Sequence, residues 1–189
     1  MKISSLLQVI DKQSQLYPNS VIKRLGKEAP KQLWTVGNIE LLSHSKTALF
    51  CSKKCPGDAI LKAMEKAQEW RNQGRCIISG FHSPVEKECL NILLKGNQPI
   101  IICLARSIEK MRIPKEWVKG IERNRILILS PFDPTKNRLT SKQAEERNKL
   151  VAALSDEVYF AYTNPGGKAE NLADIISMWR IPVNYGVTS

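Results

Sequence analysis

From residue 47 onward, short apolar runs alternate with stretches whose apolar residues recur at helical spacing. Thr47-Ala48-Leu49-Phe50-Cys51 is five residues of continuous apolar character and reads as a strand. Gly57 to Gln73 follows, with Ile60, Met64, Ala67 and Trp70 near one face and Gly74 as its stop, and reads as a helix. The alternation repeats. Cys76-Ile77-Ile78-Ser79 is a strand; Pro84 opens a helix with Val85, Cys89, Ile92 and Leu93 inward, ended by Gly96. Pro99 to Leu104 is an unbroken apolar run, as expected of a strand covered on both faces. Residues 105–124 are basic and less regular. Arg125 to Ser130 is a strand, and residues 140–154 are a helix with Ala144, Val151 and Leu154 inward. Val158 to Tyr162 is a strand, and Lys168 to Trp179 is a helix with Leu172, Ile175, Ile176 and Trp179 at helical spacing. Ile181-Pro182-Val183 is a last short strand, placed at an edge by its proline. Residues 1–30 read as a helical extension that becomes irregular, broken by Pro18 and Pro30.

Strand–helix alternation of this kind predicts an α/β fold. The expected form is a doubly wound, mostly parallel sheet with helices on both faces, a Rossmann-like domain over residues 31–189. Ligands of such sheets bind beyond the carboxyl ends of the strands. That rule selects five loops: Cys51–Asp58, Ser79–Pro84, Leu104–Arg112, Ser130–Lys142 and Thr163–Ala169. It also predicts that Cys51, Ser79, Leu104, Ser130 and Tyr162 share one rim.

Composition narrows the class. Hydrophobic residues make up 42% of the 189 and charged residues 25%, which is globular rather than disordered. No apolar run approaches the length of a membrane span, and the first residues carry no signal-peptide pattern, so the expected location is the cytoplasm. The net charge is +11, and it is uneven. Residues 155–189 hold two basic and four acidic residues, leaving 27 basic against 14 acidic in the first 154. A polyanionic partner would meet surfaces built by those earlier segments. Five cysteines, an odd number without a tight framework, read as reduced thiols, with Cys76 and Cys103 as small core residues. Zinc at Cys51 and Cys55 would need two further ligands from His44 and His82, so no metal or cofactor is expected.

Chemistry is concentrated in four places. Cys51-Ser52-Lys53-Lys54-Cys55-Pro56-Gly57-Asp58 leaves a strand and enters a helix; Ser52, Lys53, Lys54 and the free helix amides favour a phosphate. The loop has neither the dinucleotide-binding glycine fingerprint nor the P-loop pattern. In Ser79-Gly80-Phe81-His82-Ser83-Pro84, Gly80 permits a tight turn, Ser83 caps the helix and Glu86 suits its first turn. Ser83 and Glu86 therefore need no catalytic role, and His82 is a loop residue able to bind or titrate. Arg147 lies toward the buried side of its helix, as a structural ion pair or as a ligand group aimed at the cleft. Thr163-Asn164-Pro165-Gly166-Gly167-Lys168 allows a close backbone approach to a phosphate and equally suits a plain connection. No Ser-His-Asp order, paired metal ligands or HExxH occurs, so the chain reads as a binding protein rather than an enzyme.

Taken together, these loops resemble the DprA/Smf family of DNA-processing proteins, in the wider SLOG superfamily, over roughly residues 30–183. Leu33-Trp34-Thr35-Val36-Gly37-Asn38-Ile39-Glu40-Leu41-Leu42 is similar to the family's L-x-x-x-G-N-x-x-L-L. Cys51-Ser52-Lys53 falls on its G-S-R, and Ser79 to Glu86 on its S-G-x-A-x-G-I-D. Arg147-Asn148-Lys149-Leu150-Val151-Ala152-Ala153-Leu154-Ser155 is similar to its R-N-R-x-I-A-G-L-S. The departures are Cys51 for glycine, Lys53 for arginine, Pro84 for glycine, Glu86 for aspartate and Lys149 for the second arginine. The resemblance implies an extended Rossmann fold that binds single-stranded DNA, assists DNA uptake in transformation and loads the recombinase RecA, with a homodimer as one assembly. By position it implies phosphate contacts from Ser52 and Lys53, a pocket floor of Ser79 and Gly80, and a pocket completed by Arg147 and Asn148; the candidate DNA- or nucleotide-phosphate site also takes in Lys54, Phe81, His82, Gly166 and Gly167 of the same loops. With no winged-helix extension visible, a diverged stand-alone member is expected. A nucleotide-binding or sensing SLOG domain is the alternative. The related LOG phosphoribohydrolases carry P-G-G-x-G-T-x-x-E, of which Pro165-Gly166-Gly167 keeps only P-G-G.

Overall fold

The computed structural model describes residues 6–109, 111–134 and 139–187. Among the described residues eight strands form one sheet: β1 (Leu7–Asp11), β2 (Gln32–Gly37), β3 (Lys46–Cys51), β4 (Cys76–Ser79), β5 (Ile100–Cys103), β6 (Ile126–Ser130), β7 (Glu157–Tyr162) and β8 (Val183–Tyr185). Their spatial order is β1-β2-β6-β5-β4-β3-β7-β8. The six strands from β6 to β8 are parallel to their neighbours, while β1–β2 and β2–β6 pair antiparallel. The doubly wound α/β architecture is therefore present, with an antiparallel margin at one edge.

Six α-helices of the described residues cover the two faces: α1 (Asn19–Leu25), α2 (Gly57–Gln73), α3 (Pro84–Leu94), α4 (Lys115–Glu122), α5 (Ser141–Leu154) and α6 (Lys168–Ser177). One core cluster joins α1, α5 and α6 to Phe50, Ile78, Leu129 and Phe160 of the sheet. The other joins α2, α3 and α4 to Leu49, Ile77, Ile102, Ile128 and Tyr159. Alternate residues of each central strand thus feed opposite cores, which is why these strands are apolar at every position. Helix α2 lies close to the sheet because its buried stripe is Ala59, Ala63 and Ala67, closed by Trp70; Ile60 and Met64 sit at its margin. Gly74 ends α2 in the left-handed conformation at φ 70°. A serine cap and proline start α3, with Ser83 and Glu86 forming a capping box.

Three expectations change, and one strand is new. The described part of residues 1–30 contains one helix, but it begins with strand β1, whose Ile10 is buried against the sheet while Gln8 and Val9 face outward. Leu33 to Gly37 is a strand as well, because Leu33 and Val36 fill the two cores on either side of it. The basic stretch 105–124 contains α4, held by Ile121 and by Gly120, where a side chain would meet Ile126. The last strand begins where it was expected to end: Pro182 lends its carbonyl to Val158, and the ladder runs through Tyr185 at the sheet edge.

After β3 the chain moves outward through β4, β5 and β6 on one side, then returns to place β7 on the other side of β3. The loops leaving β3 and β7 consequently diverge to opposite faces and open a crevice above their carboxyl ends, the switch point at which ligands bind in this architecture. Cys51, Ser79, Ser130 and Tyr162 end β3, β4, β6 and β7 on that rim, and Leu104 follows the end of β5.

Candidate functional site

A cleft of 540 Å³ occupies the switch point. One wall is the β3–α2 loop, with Ser52, Lys53 and Lys54. His82, Ser83 and Glu86 from the β4–α3 turn stand beside it. Helix α5 contributes Ala144, Arg147 and Asn148, and the β7–α6 connection closes the far side with Asn164, Gly167 and Lys168. Leu139 and Leu172 add apolar surface.

The two loops that flank the crevice are tied together. The amide of Ser52 donates to the Tyr162 carbonyl at 3.0 Å, extending the β3–β7 ladder past its register shift at Phe50 and Cys51. Asn164 N donates to Ser52 Oγ at 2.9 Å, so that hydroxyl keeps its own hydrogen to donate elsewhere. Neither α2 nor α6 has a side-chain N-cap; Pro56 and Gly167 occupy those positions. Gly167 is required by space, since a Cβ would lie 2.7 Å from the Asn164 carbonyl oxygen. Gly166 turns at φ 69° and donates to Glu170 Oε2 at 2.6 Å.

Arg147 is the deepest cation, with 4% of its surface exposed. Its Nε donates to Asn148 Oδ1 at 2.7 Å and its Nη1 to the Cys103 carbonyl at 3.0 Å. Among the described residues no carboxylate lies within ion-pair distance of it. Of the two roles that helical spacing leaves open for Arg147, an ion pair is absent among the described residues, and its hydrogen bonds go to neutral acceptors. Gly80 packs directly on this guanidinium: a Cβ there would overlap Nη1 and Cζ. The glycine serves a close approach to Arg147.

The structure brings Ser52, Lys53, Lys54, His82, Arg147, Asn148 and Gly167 to the cleft lining, and it leaves four expected residues behind it. Ser79 is fully buried and its Oγ accepts from Phe81 N at 3.1 Å, because the chain must turn at once after β4. Gly80 backs Arg147. Phe81 adopts φ 46° and sends its ring into the core, 5% exposed, an arrangement that costs about 1–3 kcal/mol for a residue with a side chain. Gly166 is spent on the turn before α6. Residues 135–138 of the Ser130–Lys142 loop lie outside the described residues. Lys168, Asn164, Thr140 and Ser141 line the cleft without having been singled out as site residues. The signal for Lys168 was its place directly after the paired glycines, at the first position of a helix.

The electrostatics are lopsided. Glu86 is the one carboxylate among the lining residues, and its oxygens accept backbone N–H bonds from Cys51, His82 and Ser83. Lys53 and Lys54 are exposed and have no carboxylate within ion-pair distance among the described residues, whereas Lys168 pairs with Glu145 at 2.7 Å. Burial, and then the Arg147 charge, hold the His82 imidazole below its usual range against the opposing pull of Glu86. Burial pushes the Cys51 thiol up. Five free cysteines are present, and no cluster of three metal-ligating side chains occurs among the described residues. Nor is any described helix long and apolar enough to cross a membrane.

A family model described as DNA recombination-mediator protein A matches residues 8–166. DNA processing protein A of Streptococcus pneumoniae superposes with a TM-score of 0.77 at 19% identity, covering 97% of this chain and 65% of that one. This chain therefore spans somewhat under two thirds of the pneumococcal protein. DNA processing protein A of Helicobacter pylori, whose structure concerns a single-stranded DNA binding mode, superposes with a TM-score of 0.75 at 21% identity, covering 98% of this chain and 82% of that one. A molybdenum cofactor binding protein of Rippkaea orientalis shares the fold more distantly, with a TM-score of 0.52 at 11% identity and 75% of each chain covered. No curated protein sequence matches the chain.

Proposed function

Because the chain belongs to the DNA recombination-mediator protein A family, we propose that it binds single-stranded DNA by its phosphate backbone in the cleft above β3 and β7. The observation that carries this reading is Arg147, a guanidinium 4% exposed at the cleft wall with no carboxylate within ion-pair distance among the described residues. A buried cation without a counter-charge is costly unless a ligand supplies one. Lys53, Lys54 and the amino end of α6, which has no side-chain cap, border the same space, and each favours an anion. A single strand can lower its phosphates to a group at that depth; a duplex presents them on a stiff convex surface.

The reading assigns binding without a chemical step. Glu86 is engaged by three backbone donors and is not free to act as a general base. Recombination mediation, the activity in the family's description, extends the proposal: the bound strand passes to a RecA-type recombinase. The pneumococcal and Helicobacter proteins support the fold on which this rests.

One observation favours a second reading. At 540 Å³ the cleft lies within the range of small-molecule sites and would accept a single nucleotide. A titration of labelled oligodeoxythymidylate against mononucleotides over a salt series separates the two. Strand binding is expected to weaken linearly in log–log form, with a slope near −0.7 per phosphate neutralised. Arg147→Ala is expected to lose about 1.5–3 kcal/mol of affinity, as for a charge-assisted hydrogen bond. Retention of mononucleotide with no strand binding at low salt overturns the DNA reading.

A further inference from the structure

Glu86 is out of place on electrostatic grounds. It is a carboxylate in the wall of a cleft whose other charged lining residues are the cations Lys53, Lys54, Arg147 and Lys168; it is 6% exposed, and it repels any anion that enters. Among the described residues no Lys, Arg or His lies within ion-pair distance of it. Its role as the third residue of a capping box accounts for one oxygen: Oε2 accepts from His82 N at 2.8 Å and from Ser83 N at 3.2 Å, while Ser83 Oγ accepts from Glu86 N at 3.2 Å. The other oxygen goes elsewhere. Oε1 accepts at 3.0 Å from the amide of Cys51, the last residue of β3, immediately before Ser52, Lys53 and Lys54. Local capping does not require that bond.

We propose that Glu86 is a positioning residue, which clamps the β3–α2 loop to the β4–α3 turn and so fixes the distance between Ser52–Lys54 and the turn that carries His82 and packs Gly80 on Arg147. This inference rests on the reading of the cleft as a phosphate-binding site. A carboxylate suits the task because both of its oxygens accept and neither donates, so three converging N–H groups from two elements are satisfied at once. The three amide dipoles that point at the carboxylate offset part of the repulsion it adds.

The clamp and a spectator charge predict opposite signs. Glu86→Gln removes one negative charge from the cleft, and by Coulomb's law alone this tightens the binding of an anion. For the clamp it loosens binding, because the new NH₂ group faces either the Cys51 N–H or the His82 and Ser83 N–H groups with donor against donor. Glu86→Asp separates clamp from cap. Its carboxylate is about 1.5 Å shorter in reach; it still serves the amides of its own helical turn and falls short of Cys51.

The experiment is a titration of labelled oligodeoxythymidylate at low salt against the intact chain and both variants, with thermal melts of each. The expected result is an affinity at least about tenfold weaker for Glu86→Gln, and a comparable loss for Glu86→Asp with a melting temperature near that of the parent chain. Binding by folded Glu86→Gln that equals or exceeds the parent overturns the clamp. So does a Glu86→Asp variant that binds like the parent, and this arm decides the question even if Glu86→Gln does not fold. An unaltered chain that binds no oligonucleotide overturns the DNA reading itself, and the clamp with it.

Discussion

Arg147 fits its place only because residue 80 has no side chain, and this single packing relation ties two distant motifs of the chain into one site. His82 is the residue there whose charge changes near neutral pH. Burial and Arg147 keep its folded-state pKa below the usual 6.5, so near that pH the unfolded chain holds more protons than the folded one. Its contribution to stability is accordingly present above pH 6.5 and lost as the pH falls from there toward the folded-state value. A phosphate beside the imidazole acts the other way, favouring the cation and raising its pKa. Strand affinity is therefore expected to rise as the pH is lowered from about 7.5 toward 6, with uptake of a proton. Titrations at several pH values, repeated with His82→Asn, check this; a pH dependence unchanged in that variant removes His82 from the site.

Helix α5 carries Arg147, and its carboxyl end is held from outside the parallel sheet. Arg24 of α1 donates through Nη1 to the carbonyls of Ala153 at 2.9 Å and Ser155 at 2.6 Å, acceptors at the end of α5 and just beyond it. Arg24→Ala is expected to cost about 1.5–3 kcal/mol, the range for hydrogen bonds from a charged donor, read as a lower melting temperature. α1 therefore packs on the main fold, against the face that bears α5. The elements legible in the sequence were those whose chemistry is local. The central strands announce themselves as apolar runs because two cores claim alternate residues, and α3 announces itself by Ser83, Pro84 and Glu86. β1 and β2 were harder to read because their partners are decided by tertiary pairing, and Trp34 and Thr35 interrupt the pattern. α4 was obscured by the lysines and glutamates of its exposed side. At the cleft, residue types in a loop singled out Ser52 to Lys54, helical spacing singled out Arg147, and the motif resemblance added Asn148. They did not reveal that the turn after β4 would spend Ser79 and Phe81 on its own closure, since that depends on how sharply the chain must leave the strand.

Across the whole molecule, the net charge of +11 sits mainly in the first 154 residues, yet the cleft needs the mildly acidic remainder for its far wall. β7 pairs along the full length of β3 and supplies the only parallel neighbour on that side. A chain ended after Ser155 would leave Leu49 and Phe50 on an open, flat, apolar edge. Such a chain is expected to aggregate and to bind no strand, as sedimentation and circular dichroism would show. The strand order also has a consequence in time. Trp34 pairs early with Val9 and Thr47 with Ile77, but on their other sides Trp34 waits for Ser130 and Thr47 for Glu157. As the chain emerges from a ribosome amino end first, one edge of β2 stays open until β6 is made and one edge of β3 until β7 is made, a span in which unpaired edges invite association with other chains. The cleft comes late, because its two flanking loops follow β3 and β7, strands far apart in the chain. Whatever ligand the cleft holds therefore finds no complete site on a nascent chain until β7 and the loop after it have been made.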